Sequence, residues 1–446
     1  MTTLRSAIRV GAVVLLTLGL LTGSADAAPR GRVVVALGSD TSTQDPHMHT
    51  ERMGIIINQH LFDTLLTRDT KTYQPVPHLA ESVRNVNPTT WELKLRRGVK
   101  FHNGEPFTAE SVKFSFERVL NPDQKSPIRG NFTWVKAVEI VDDYTVRIVT
   151  EKPYPLFHEI LTFGNFTMVP PKYVKEKGDA HFARNPVGTG PYKFVEWRKG
   201  ERTTVEANEQ YWKGAPAIKT LVFRVIPETA TQIAELLSGG VDILRAVPPD
   251  QIPAIERSGV ARVTATKILR VVFLQMDGDS RAGKTPVTDV RVRRAINHAV
   301  NVNEIIQKVL GGMAVPTPGG TNPMAFGYDS AIKPYAFDPA QAKKLLAEAG
   351  FPNGFEITLN TYAGSIVNGD QVAQAIMGYL ATVGIRAKVR HFADVGQYLV
   401  NFRGSKLDGI IFASWGYNSV FDSDFIYYVH FHSGQPYAYN PAAEMD

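Results

Sequence analysis

Between Val33 and Phe392 the apolar pattern changes period again and again, and that alternation limits the folds open to the chain. Val33–Leu37 is continuously apolar and ends in a Gly-Ser-Asp turn, the pattern of a strand covered on both faces. Met53–Asp69 then puts apolar residues at helical spacing. Trp91–Arg96 alternates Trp91, Leu93 and Leu95 against Glu92, Lys94 and Arg96, which predicts a strand with one face in solvent. Thr108 is an N-cap for a helix that carries Val112, Phe116 and Val119 on one face, and Thr145–Val149 returns to strand. The second half behaves in the same way. Lys219–Ile226 is a strand, and "ATQIAELLSGGVDIL" is a helix, a Gly-Gly stop and another strand. Val292, Ile296 and Ala299 share one helix face, while Asp338, Pro339 and Gly350 supply the cap, first turn and terminator of another helix. The strands "FEITLNTY" and "AKVRHF" flank the helix "GDQVAQAIMGYLATVG". Such mixed alternation specifies an α/β architecture. A length of 446 residues fits two or three domains, and no segment repeats another at a fixed period.

The N-terminus bears on the compartment. Arg5 and Arg9 precede the uncharged apolar run Val10–Gly23, and Ala25 and Ala27 follow in an A-x-A pattern. That order predicts a secretory signal peptide cleaved after Ala27. The apolar run is shorter than the roughly 20 residues of a spanning helix, so a soluble protein of the Gram-negative periplasm is expected. The chain contains no cysteine. Disulfides, thiolate metal sites, cysteine nucleophiles and the lipidated cysteine of a lipoprotein are excluded with it. The net charge of +6 is spread along the chain in groups no denser than "RVRRA". Nucleic-acid recognition needs a clustered basic stripe, so no nucleic-acid partner is expected.

Enzyme patterns are missing as well. There is no G-x-S-x-G elbow and no P-loop. Gly188 and Gly190 in "PVGTGPYKF" do not fit a dinucleotide fingerprint, and Pro191 removes an N–H that a phosphate cradle would use. His430 and His432 in "YVHFHSG" would lie on one side of a strand, but no third ligand stands at local spacing, so both read as solvent-facing. Asp422 and Asp424 in "WGYNSVFDSDF" are near neighbours beside a serine. The two carboxyls of a retaining glycosidase stand about 5 Å apart on different elements, whereas these two read as turn or helix-cap chemistry. No catalytic residue, cofactor or metal is therefore assigned.

Several stretches, in order, resemble one family. They are "TQDPHMHTERMGIIINQHLFDTLLTRD" (Thr43–Asp69), "PHLAESVRNVNPTTWELKLRRGVKFHNGEPFTAESVKFSFERV" (Pro77–Val119), "NPVGTGPYKFVEW", "ANEQYWKGAPAIKTLVFRVI", "DVRVRRAINHAVNVNEII" and "YAFDPAQAKKLLAEAGFPNGF". The chain is similar in these to the family 5 extracellular solute-binding proteins, the dipeptide, oligopeptide and nickel-type receptors of ABC importers. The resemblance implies a two-lobed periplasmic binding protein type 2 fold with an extra domain inserted in lobe I. After the signal peptide (1–27), lobe I would take residues 28–70 and 186–268, the inserted domain 71–185, and lobe II 269–446. The chain closes on "YAYNPAAEMD", where the family continues and returns to lobe I, so that return is expected to be missing.

The family implies a monomer that holds a ligand between its lobes and presents it to an inner-membrane permease. The cleft residues it implies are Trp415 as a pocket wall, Tyr417, Asn418 and Asp422 on the same segment, and Met53 from lobe I. In peptide-binding members an Asp three residues after the Trp takes the α-ammonium group, and this chain has Asn418 there. A charge-assisted hydrogen bond contributes about 1.5–3 kcal/mol against about 1 for a neutral one, enough to change ligand class. Asp422 is the alternative carrier of the charge. The expected cargo is a peptide or peptide-like solute. The alternatives are a metal chelate, opine or glycoconjugate, or a reaction in the same cleft.

Overall fold

The computed structural model describes residues 30–362, 366–416 and 420–440, whose strands form four sheets. The expected signal segment and its cleavage site at Ala27 lie outside the described residues. The chain enters by β1 (Arg30–Leu37) and α1 (Arg52–Leu61). This helix ends well before Asp69, the limit of the helical pattern. Phe62 is extended and Asp63, 3% exposed, turns inward. Its carboxylate accepts from Thr189 Oγ1 at 2.9 Å, Tyr211 OH at 3.0 Å and Trp212 Nε1 at 3.0 Å. A buried carboxylate is tolerated only with such donors, and this tertiary demand overrides the local periodicity.

A separate body follows before the chain returns. β2 (Leu66–Arg68) and β3 (Pro75–Pro77) form a small antiparallel ribbon. β4 (Ala80–Asn87), β5 (Thr90–Leu95), β6 (Val135–Asp142) and β7 (Thr145–Thr150) form an antiparallel sheet in the order β4-β5-β7-β6. Helix α2 (Ala109–Leu120) packs on β6 and β7, with Val112, Phe116 and Val119 all 0% exposed on the face the spacing predicts. Glu92 departs from the predicted solvent face. It is buried between Arg84 and Arg147 of the two neighbouring strands, at 2.8 and 3.0 Å.

β8 (Tyr192–Arg198), β9 (Arg202–Ala207), β10 (Ile218–Val225) and β11 (Ile243–Leu244) then rejoin β1 in the order β11-β1-β10-β9-β8. β1 is parallel to both of its neighbours, which accounts for its unbroken apolar run. The returning chain passes against the end of α1, where Gly190 N–H donates to the Leu61 carbonyl at 3.0 Å. A Cβ on Gly190 would stand 2.5 Å from the Leu61 carbonyl carbon, so the glycine serves a close backbone approach and not a phosphate.

The last sheet holds β12 (Arg270–Met276), β13 (Phe355–Tyr362), β14 (Ile385–Phe392) and β15 (Ile410–Gly416) in the order β12-β15-β13-β14. β13 is parallel to β14 and β15, while β12 runs antiparallel to β15. Val292, Ile296 and Ala299 of the helix Val290–Ala299 are buried in its core with Leu346 and Ile376 from two further helices. Asp338 caps its helix by accepting from Gln341 N–H at 2.9 Å, and Gly350 beyond the end has φ +90°.

The segment Asp424–Phe431 is a helix, so His430 and His432 are not strand neighbours. Ile426 on this helix packs with Val271 and Ala325, and that contact turns His430 inward. His430 is 2% exposed with Nδ1 2.9 Å from Gln275 Oε1, while His432 follows the helix with Nδ1 2.8 Å from the Ser433 carbonyl. The reading of two solvent-facing histidines is thus corrected for His430. Among the described residues no helix is long and apolar enough to cross a membrane.

Candidate functional site

Strand direction decides where a ligand can sit. In open α/β sheets the crevice lies outside the carboxyl ends of the strands. The parallel strands β1, β10 and β11 end at Leu37, Val225 and Leu244. On the other lobe β13 and β15 end at Tyr362 and Gly416, and antiparallel β12 begins at that same edge, with Arg270 opposite Gly416.

Three arginines stand at these ends. Arg245 directly follows β11, Arg52 opens α1 and Arg270 opens β12. Arg270 donates to the Ser414 hydroxyl. A Cβ on Gly416 would lie 3.3 Å from its guanidinium, so Gly416 leaves room for that group across the end of β15. Burial first, and then the charges of Arg52 and Arg245, push Arg270 down to about 10, with Tyr362 acting the other way. Burial lowers Arg245 as well, followed by the charge of Arg52, and burial lowers Arg52. Arg52 and Arg245 nevertheless keep much of their surface in solvent, as residues lining a crevice do.

The residues assigned from the sequence fall around this crevice in different ways. Trp415, near the end of β15, is half-buried. Its ring meets His430 edge-on at 4.8 Å, Tyr437 at 5.4 Å and Phe425 at 6.1 Å. Its indole Nε1 is buried without a hydrogen-bond partner among the described residues. Met53 is the second residue of α1 and packs partly on the lobe I core beside Ile57 and Leu61. Tyr417 and Asn418 lie outside the described residues. Asp422 pairs in a single bridge with Phe326, and its Oδ1 accepts from Asp424 N–H at 2.9 Å. Burial, and then the negative charge of Glu159, raise Asp422 above the ordinary carboxyl value. Asp424 is raised by burial and then by Asp422, and it opens the helix Asp424–Phe431 behind Ser423, whose side chain makes no capping bond, so the pair is a turn rather than a helix cap.

The same segment joins the lobes. Val420, 1% exposed, is part of the core of the β4–β7 body. Phe421 donates its N–H to Glu159 Oε2 at 3.2 Å, stacks on Tyr73 at 5.7 Å and lies under the Arg68 guanidinium at 4.3 Å, with Arg68 paired to Glu159. The sequence reading missed this seam and all three crevice arginines. The available signal was a lone arginine at the edge of an apolar strand, in "ILRVVF" and "VDILRAV".

Residues 74–437 match the family described as bacterial extracellular solute-binding proteins, family 5 Middle. The glutathione-binding protein GsiB of Pectobacterium atrosepticum is 30% identical over 294 residues, covering 66% of this chain and 56% of that protein. The chain thus spans little more than half the length of the curated relatives it matches. Among solved structures, the periplasmic binding protein DppA of Helicobacter pylori with the peptide STSA is 28% identical. It superposes with a TM-score of 0.82 over 93% of this chain and 85% of that one. NikZ of Campylobacter jejuni with Ni(L-His) is 27% identical, with a TM-score of 0.79 over 92% and 82%. These relatives are binding proteins, and the two-lobed α/β fold is theirs as well.

Proposed function

Because the chain belongs to the family 5 bacterial extracellular solute-binding proteins, we propose that it captures a peptide or peptide-like solute between its lobes and hands it to the permease of an ABC importer. The observation that carries this reading is the crevice itself, where the strand ends of two sheets face each other across Arg245 and Arg270. A hinge equilibrium between open and closed lobes shifts toward whichever form the ligand binds better. In this reading Trp415 and Met53 wall the ligand from opposite lobes, and Tyr417, Asn418 and Asp422 line the segment between. Lobe I comprises residues 28–70 and 186–268, the insertion 71–185 and lobe II 269–446. The protein works as a monomer in the periplasm, exported by its signal segment.

The names of two relatives, one glutathione-binding and one solved with a peptide, support the peptide reading. A metal chelate is the second reading, supported by the relative solved with Ni(L-His). Native mass spectrometry of protein purified from its own host identifies what is held. Incubation with that compound separates a receptor from an enzyme, since a receptor returns it unchanged. Trp415→Ala should weaken binding far more than it lowers the urea midpoint. A collapse of stability with affinity per folded molecule retained would make Trp415 a core residue only.

A further inference from the structure

Arg52, Arg245 and Arg270 have no carboxylate partner among the described residues. Glu51, next in sequence to Arg52, is turned to Ser42 Oγ at 2.7 Å and His49 Nδ1 at 3.2 Å. Asp242, near Arg245, accepts the Val34 N–H at 2.7 Å. Two of the arginines belong to lobe I and one to lobe II, and each lobe I guanidinium repels that of Arg270. Bringing like charges into a crevice that sheds water is unfavourable unless a counter-charge arrives with them. Apart from the bond of Arg270 to the Ser414 hydroxyl, these arginines make no hydrogen bond to the fold among the described residues, and a neutral side chain in their place would let the lobes close with less repulsion. The missing counter-charge is therefore sought in the ligand.

We propose that Arg52, Arg245 and Arg270 form an anion-binding centre spanning both lobes, which selects peptide-like solutes carrying at least two carboxylates. A guanidinium offers a planar fork of donors that matches a carboxylate in two-point contact. A ligand with one acid group against Arg52 and Arg245 and a second against Arg270 joins the lobes by its own charge. Closure is then favoured by the ligand's acidity, and a neutral peptide leaves the three arginines repelling one another. The complement is the opposite of an ammonium pocket and agrees with a neutral asparagine at position 418.

This inference rests on the crevice being the solute site, and the test separates the two. Titration calorimetry compares Ala-Glu-Ala, with two free carboxylates, and Ala-Gln-Ala amide, with none, and adds citrate as a non-peptide polyanion. The acidic peptide should bind at least tenfold more tightly than the neutral one. Arg270→Gln and Arg245→Gln should each weaken it by roughly tenfold to 100-fold, as expected for the loss of a charge-assisted hydrogen bond, and should bind the neutral peptide no more weakly than the native protein does, since repulsion between the arginines is relieved. Ligand-free Arg270→Gln should also melt at a higher temperature than the native protein, because repulsion is relieved. Equal affinity for the two peptides overturns the anion centre and leaves the peptide reading standing. Binding of citrate without either peptide supports the anion centre and removes the peptide. A protein that binds none of the three, or an Arg270→Gln variant that melts lower and binds as before, overturns the proposal.

Discussion

Acidification should weaken this protein steeply, and His430 allows the effect to be assigned to one side chain. The imidazole is 2% exposed, donates through Nδ1 to Gln275 Oε1, and has its Nε2 buried without a partner among the described residues. Burial pushes its pKa from 6.5 down to about 3. The unfolded chain takes up this proton near pH 6.5, and the folded chain only near pH 3. Between those values the unfolded state binds more protons, so stability is fully present above pH 6.5 and declines as the pH falls. At 1.36 kcal/mol per tenfold, the loss from this group is about 2 kcal/mol at pH 5 and about 5 kcal/mol below pH 3. His47 and His102, each pushed down to about 4 chiefly by burial, act in the same direction. Urea unfolding at pH 7 and pH 5, followed by tryptophan fluorescence, gives the total slope. His430→Gln keeps an amide donor for Gln275 and cannot titrate, so its pH 7 to pH 5 loss should be smaller than the native loss by about 2 kcal/mol. Identical losses in the two proteins would refute the reasoning.

Arg118, buried between Asp45 at 2.5 Å and Asp179 at 2.7 Å, leaves Asp45 an uncompensated buried charge when removed. Arg118→Met should cost about 3–5 kcal/mol in urea unfolding, and a loss under about 1 kcal/mol would show the ion pair to be dispensable. Phe421→Ala removes an aromatic stack and a cation–π contact together worth about 1–2 kcal/mol. The ligand-free protein should then open, with a larger radius of gyration in solution scattering, and an unchanged radius would deny the seam a part in closure. Exported protein should begin at Ala28 by N-terminal sequencing, and a mature chain retaining Arg5 and Arg9 would contradict the signal reading.

The α/β class was legible because it depends on periodicities that burial enforces. Val112, Phe116 and Val119 face one core, and the apolar run of β1 is parallel to both neighbours. Asp63, Glu92 and His430 were misread for one shared reason. Each is a polar group whose burial is set by partners distant in sequence: Thr189 and Tyr211, Arg147, and Gln275. No local pattern carries that information. The crevice arginines escaped similarly, since Arg52, Arg245 and Arg270 meet only through the folding of both lobes. Trp415 was named only through its resemblance to the family's cleft segment, and its contacts with His430 and Tyr437 left no mark in the local sequence.

Asp63 also fixes the place where the β2–β7 body leaves lobe I, and its bond to Thr189 marks the place where the chain comes back. Exit and re-entry are thus adjacent, and the pairing of Arg118 on α2 with Asp45, between β1 and α1, ties the body to the first part of the chain again. The body also carries Tyr73 and Glu159, which meet Phe421 of the opposite lobe. Substitutions at that contact would reset how readily the molecule shuts while leaving Arg52, Arg245 and Arg270 in place. Closure would then answer to this seam as well as to the three arginines, and a substitution at Tyr73 should alter it without touching the charges that choose the ligand.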